Sequence, residues 1–346
     1  MKRTLILLVA FLLLGGSVFW YMSGDDKRNK MTLTGSDRDF AVKDMSQLHK
    51  IFIADRKGER TTLVRNDEAG WNVNDQGTAN PHVMEPLLEA IRNVRIKYKP
   101  SDNALKNMVN VLATQGYKVE LYDKENNLLK AYYIGGSTAD ERGTYIILDG
   151  AEQPYVAEIP GFSGNISVRF SRFGDEWRDK TLFSEKVEDI KYLSVEYPKQ
   201  KNQSFILEAE GSGYNIKPFY DITPEIQRPA KEGSIEAYLV KFKSVGAEAF
   251  RNEHSGQDSI LQTIPFCNVT LVNTDKDTTR AVFYPIRKEK TTTQDRKTGE
   301  YVTTGGYVDR YFVLRNQQDF MLAQHIVMQK IFWGYGSFYQ DTKLLN

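Results

Sequence analysis

A single cysteine, Cys267, is all the thiol chemistry in this chain. No intramolecular disulfide can form, and zinc sites of the C-x-x-C or Cys/His type lack their ligands. Histidine is scarce as well. His49, His82, His254 and His325 stand apart, none at i, i+4 from another or at ligand spacing from a carboxylate, which argues against a histidine-rich metal centre. Net charge is nearly absent: 46 basic and 45 acidic side chains leave +1, so no global field would draw nucleic acid. Motifs for phosphate cradling and nucleophilic catalysis are also missing. Gly135-Gly136-Ser137-Thr138 follows a hairpin strand and has neither the lysine nor the following helix of a P-loop, and no G-x-S-x-G elbow occurs. Asp275-Lys276-Asp277 starts like a calcium loop but has no glycine and no closing glutamate, so it reads as a hairpin tip. Acid pairs such as Asp175-Glu176 are ordinary in a chain with 45 acids. The expectation is a protein that is not an enzyme and carries no cofactor.

What is present is enough apolar material for two domains, with 40% hydrophobic and 12% aromatic residues in 346. Thr4 to Met22 is an uncharged run behind Lys2 and Arg3. At about 1.5 Å per residue, a helix of that length just spans a hydrocarbon core of roughly 30 Å. A cleaved signal peptide would have a shorter apolar region and small residues at its end, where this chain has Trp20, Tyr21 and Met22. Residues 1–22 therefore read as a transmembrane anchor, with Lys2 and Arg3 cytoplasmic and the bulk of the chain in the periplasm. Residues 23–43 read as a polar juxtamembrane linker.

The remainder is written twice. The hairpin Gly116 to Gly135 is echoed by Phe266 to Tyr284, with Val119 on Val269, Leu121 on Leu271, Ala131 on Ala281 and Tyr133 on Phe283. Leu48, Ile51 and Ile53 are answered by Ile190, Leu193 and Val195, Trp71 and Val73 by Tyr214 and Ile216, and Tyr145 by Tyr311. Val83, Leu87, Leu88, Ile91 and Val94 recur at helical spacing, as do Ile235, Tyr238, Leu239, Phe242 and Val245, and a second helix is predicted over 102–114. The fold class predicted is α+β: two tandem duplicated α+β domains, 44–183 and 184–346, after an N-terminal transmembrane helix. The second copy holds an insertion, Arg287 to Glu300, too polar to bury and expected as a mobile loop or protruding hairpin.

One stretch stands out for binding. In Val168 to Phe183, aromatic residues interleave with basic ones, and Arg and Trp dominate protein interfaces. Arg169, Arg172, Trp177 and Arg178 are the candidate partner-binding residues. The competing reading is an amphipathic helix that covers the first sheet and keeps its basic side in water. Ile331 to Tyr339 is the aromatic counterpart in the second copy, without the arginines.

Asp39 to Asp44, Ile51 to Arg56, Tyr132 to Gly135 with Gly143-Thr144-Tyr145, Pro154-Tyr155, Ile159 to Phe162 and Trp177-Arg178 together resemble a bacterial family. It is a four-thousand-series domain of unknown function common in Bacteroidetes. The resemblance implies an anchored envelope protein, since some relatives resemble or accompany auxiliary components of gliding-motility-type ABC transporters. It supplies no catalytic residues. The expected function is that of a membrane-anchored periplasmic accessory or scaffold of an envelope transport, secretion or motility complex. The alternatives are a glycan- or peptide-binding module with aromatics in a groove between the repeats and, third, an anchored hydrolase.

Overall fold

Alternating apolar residues fix the strands of this protein. In the computed structural model, which describes residues 38–66, 70–211, 213–294 and 300–339, Ile51, Ile53, Leu63, Val119 and Leu121 all point inward from neighbouring strands and are fully buried. The predicted anchor, 1–22, lies outside the described residues. Among those described, no helix is long and apolar enough to cross a membrane.

The chain divides into two compact units, residues 1–179 and 180–346. The first contains β1 (Lys50–Ala54), β2 (Arg60–Asn66), β3 (Gly70–Val73), α1 (Pro81–Asn93), β4 (Arg95–Tyr98), α2 (Asp102–Gln115), β5 (Tyr117–Tyr122), β6 (Leu128–Ser137), β7 (Thr144–Leu148) and β8 (Tyr155–Glu158). Its eight strands form one antiparallel sheet in the order β3-β2-β1-β5-β6-β7-β8-β4. Asn80 caps α1 by accepting from the His82 amide at 2.9 Å, and Pro81 occupies the first turn, where its missing N–H costs nothing. Met84, Leu87, Ala90 and Ile91 then face the sheet. Each large apolar side chain so enclosed contributes about 1.5–3 kcal/mol. On the opposite face α2 approaches β6 so closely that a Cβ on Gly136, where φ is +71°, would lie 2.4 Å from Val111 Cγ1.

The second unit contains β9 (Thr181–Phe183), β10 (Ile190–Glu196), β11 (Phe205–Glu210), β12 (Gly213–Pro218), α3 (Ser234–Leu239), β13 (Val245–Gly246), β14 (Ala249–Phe250), α4 (Gln257–Leu261), β15 (Cys267–Asn273), β16 (Thr278–Arg287), β17 (Thr291–Gln294), β18 (Tyr301–Thr304), β19 (Val308–Arg315), β20 (Asp319–Gln324) and α5 (His325–Met328). Its main sheet runs β12-β11-β10-β15-β16-β19-β20-β14, position for position the order of the first. β9 pairs with β13, and β17 with β18, as separate two-stranded ribbons.

The predicted α+β class is corrected: the protein is mostly β, built on large antiparallel sheets. Helical spacing over 235–245 does not make one long helix. The chain turns once and a half as α3, tightens into a 3-10 turn at Val240–Lys243 and enters β13. The layer covering the second sheet is completed by short turns, among them Tyr335–Phe338. The linker is also shorter than predicted. Phe40, Ala41 and Val42 are buried in the first core, and the Val42 amide donates to Ile91 O at 3.1 Å. Three apolar residues are too few to display a period.

The hairpin correspondence slips by one residue. Val119 sits opposite Tyr132 in the first unit and Val269 opposite Ala281 in the second, so Tyr132 answers Ala281 and Ile134 answers Phe283. A β-bulge between Leu121 and Tyr122 adds one residue to the first hairpin. Pairing Tyr133 with Phe283 would set an outward side chain against a core one, because a one-residue slip exchanges the faces of a strand. The same slip moves Tyr145 from Tyr311 to Phe312.

Candidate functional site

The four residues singled out for partner binding are held mainly by the first unit itself. Trp177 is fully buried, its Nε1 donating to Arg172 O at 2.7 Å. Arg178 is 6% exposed and pairs with Asp175 at 3.0 Å. Its guanidinium lies where a Cβ on Gly77 would be 3.2 Å away, so the glycine makes room for it. The backbone there is a clamp: Asn80 N donates to Trp177 O and Asp179 N to Thr78 O, each at 2.8 Å, just ahead of α1. Arg169 donates to Pro86 O at 2.9 Å and to the Glu89 carboxylate at 2.5 Å, and lies 4.4 Å from the Phe162 ring centre. Arg172 stays half-exposed. As a surface the assignment is therefore corrected for Trp177 and Arg178, which the clamp encloses. Nor is the segment an amphipathic helix; it is two 3-10 turns, Ile166–Phe170 and Gly174–Glu176.

The second unit carries two surface features that the first lacks. The first is a depression of about 330 Å³ on the outer face of its main sheet, lined by Pro265, Asn268, Arg280, Val282, Tyr284, Leu314 and Gln317. Register builds it: Glu196, Asn268, Val282 and Leu314 stand in one row across β10, β15, β16 and β19. Glu196 ends the row with both oxygens engaged, accepting from Tyr220 Oη at 2.5 Å and from Asn268 Nδ2 at 2.7 Å. Asn268 Oδ1 is enclosed and accepts no hydrogen bond. Burial pushes the Tyr284 phenol above its ordinary range, with Arg280 pulling the other way. In the first unit the matching place is occupied. Tyr133 stands where Val282 does and is covered by Arg56, whose guanidinium is 4.8 Å from its ring centre. Lys118 replaces Asn268 and pairs with Glu120 at 2.8 Å and Asp149 at 3.5 Å.

The other feature is the ribbon formed by the insertion. β16 and β19 pair as far as Arg287 and Val308, and the chain then bends and pairs again from Thr291 with Thr304 to Gln294 with Tyr301. The Lys288 amide donates to Tyr307 O at 2.9 Å and the Gly306 amide to Lys288 O at 2.7 Å, fixing the bend. Gly305 has φ +98°, and a Cβ on it would meet the Glu289 carbonyl oxygen at 1.9 Å, so no other residue fits. Tyr301 is 75% exposed and Tyr307 52%. Among the described residues, neither edge of this ribbon pairs with a third strand.

Most of the strongly shifted buried groups belong to the second core, Tyr132 of the first being also raised by burial. Cys267 is fully enclosed, and burial pushes its thiol well above the ordinary value, so it is not a thiolate nucleophile. Tyr238 is likewise shifted upward by burial, its hydroxyl donating to Ile331 O at 2.7 Å. Among the described residues no three His, Cys, Asp or Glu side chains are grouped to hold a metal ion.

Residues 109–263 match the family model described as "Domain of unknown function (DUF4340)", the four-thousand-series family to which the sequence is similar. The matched window runs from within α2 to the end of α4, and so contains each of the eight sheet positions once, in permuted order: β5 to β8 from the first unit, then β10, β11, β12 and β14 from the second. Neither a curated protein nor a solved structure matches the chain.

Proposed function

We propose that this chain is an accessory or scaffold protein of a bacterial envelope machine for transport, secretion or motility. It is held in the inner membrane by the apolar run 4–22, carries its two β-units in the periplasm and works by contact with another envelope protein. The observation that carries this reading is the ribbon β17–β18. Two strands alone are marginal in water, and unpaired strand edges are templates for further pairing. A Thr-rich ribbon with an exposed Tyr301 and a glycine-fixed base suits strand addition, in which a partner's extended segment joins the ribbon as a third strand. The basic residues at its base, Arg287, Lys288 and Lys290, favour an acidic flank on that segment.

A photo-crosslinking amino acid placed at Tyr301, in the full chain expressed in cells, tests this. The control site is Ile222, which is 81% exposed and lies outside the ribbon. A discrete adduct from position 301 and none from 222 is expected. Identical adducts at both, or none at 301, would overturn the assignment.

A further inference from the structure

We propose that the depression on the outer face of the second sheet binds a small carboxylate bearing an apolar group, with Arg280 as the partner of the anion and Val282, Leu314 and Tyr284 as the floor. Arg280 projects from β16 on the outer face, opposite Thr270, and is exposed. Two other arginines of the same sheet have carboxylate partners, Arg310 with Glu248 at 2.8 Å and Arg315 with Asp319 at 2.7 Å, while Arg287 donates to Gly306 O at 3.1 Å. Among the described residues no carboxylate pairs with Arg280. The acid of the neighbouring row, Glu196, is directed to Tyr220 and Asn268. The cation is thus available in a mixed lining, where Val282, Leu314 and Pro265 give a small apolar face beside the polar groups of Asn268, Tyr284 and Gln317, a combination that suits a group with one negative end and one short apolar end.

The remaining lining completes the fit. Tyr284, a phenol protonated at neutral pH as any tyrosine is, lines the depression and its hydroxyl can donate to a carboxylate oxygen. Gln317 supplies amide N–H groups at the rim, and Pro265 closes one side with apolar surface. A volume of about 330 Å³ is at the small end of ligand sites and holds roughly ten heavy atoms. Arg56 and Lys118 fill the matching place in the first unit, so the site belongs to the second. A free monocarboxylate and the C-terminal carboxylate of a peptide ending in an aliphatic residue share this chemistry.

The experiment is calorimetric titration of the full chain in detergent with three probes that share an isobutyl group: 4-methylpentanoate, N-acetyl-L-leucine and N-acetyl-L-leucine amide. Saturable binding of at least one acid in the millimolar range is expected, with the uncharged amide at least about tenfold weaker. Tighter binding of N-acetyl-L-leucine than of 4-methylpentanoate assigns the site to a peptide terminus, and the reverse assigns it to a free acid. Arg280→Gln, at an exposed position, should leave the melting temperature unchanged and weaken the better acid about tenfold. Equal binding of amide and acid, equal binding by Arg280→Gln, or no saturation by either acid up to about 10 mM overturns the proposal. Ribbon and depression are separate features, and neither result depends on the other.

Discussion

At the scale of single residues, the side chains that looked most like a binding surface are a clamp. Trp177 closes the first core from a turn, and Trp177→Ala should cost about 3–5 kcal/mol of stability, read as a fall in the denaturation midpoint. A variant of wild-type stability that loses a partner would instead revive the surface role. Tyr132 offers the opposite sign. Its ring is packed between Phe40 and Phe170 at 6.1 and 6.3 Å, while its hydroxyl is enclosed without a partner. Tyr132→Phe should therefore stabilise the first unit by about 1 kcal/mol, and a loss of stability would show that the hydroxyl is satisfied in solution. The composition of 168–183 was legible, but its burial was not. An arginine over Phe162 and an arginine facing a partner are spelled alike, and the difference lies in Gly77 and Glu89, about 80 to 100 positions away.

At the scale of elements, the ribbon and the bulge are where the two units part. Replacing 288–306 with a short polar turn, as β6 and β7 are joined, should leave the denaturation midpoint of the second unit within about 0.5 kcal/mol of wild type, because none of the second core's described residues lies in that span. A marked loss would mean that the ribbon supports the sheet. Gly305→Ala should displace the ribbon's base without unfolding the sheet, seen as faster proteolysis confined to 288–306. The strands of both hairpins, α1, α2 and the protruding insertion were legible from periodicity and polarity. Two things were not. The bulge inserts one residue without altering either run of alternation, so the echo of Ala131 in Ala281 looked right and was one position off. The depression depends on which residues stand in a row across four strands, and register is not written in any one of them.

At the scale of the whole molecule, one strand order has been used twice, and the second copy carries a ribbon and an outer-face depression where the first has a short turn and the side chains of Arg56 and Lys118. Its core also sets a pH limit. Cys267, Tyr197 and Tyr238 are shifted upward chiefly by burial, and Tyr311 is pushed up to about 12. Each has a folded value above its unfolded one, so the neutral form is favoured in the fold. That stability is complete below the unfolded values, about 8.5 for a thiol and 10 for a phenol, and is lost as pH rises through the folded ones. The denaturation midpoint of the second unit should fall steadily above about pH 9, and a flat profile to about pH 11 would contradict the burial of this cluster. The central claim is that the ribbon captures an envelope partner. The most direct measurement is in-cell crosslinking and affinity capture of the full chain beside the variant lacking 288–306, both expressed to the same level and equally stable. The account predicts one reproducible envelope protein with the wild type that is lost with the variant; recovery of the same protein by both, or of none by the wild type, would contradict it.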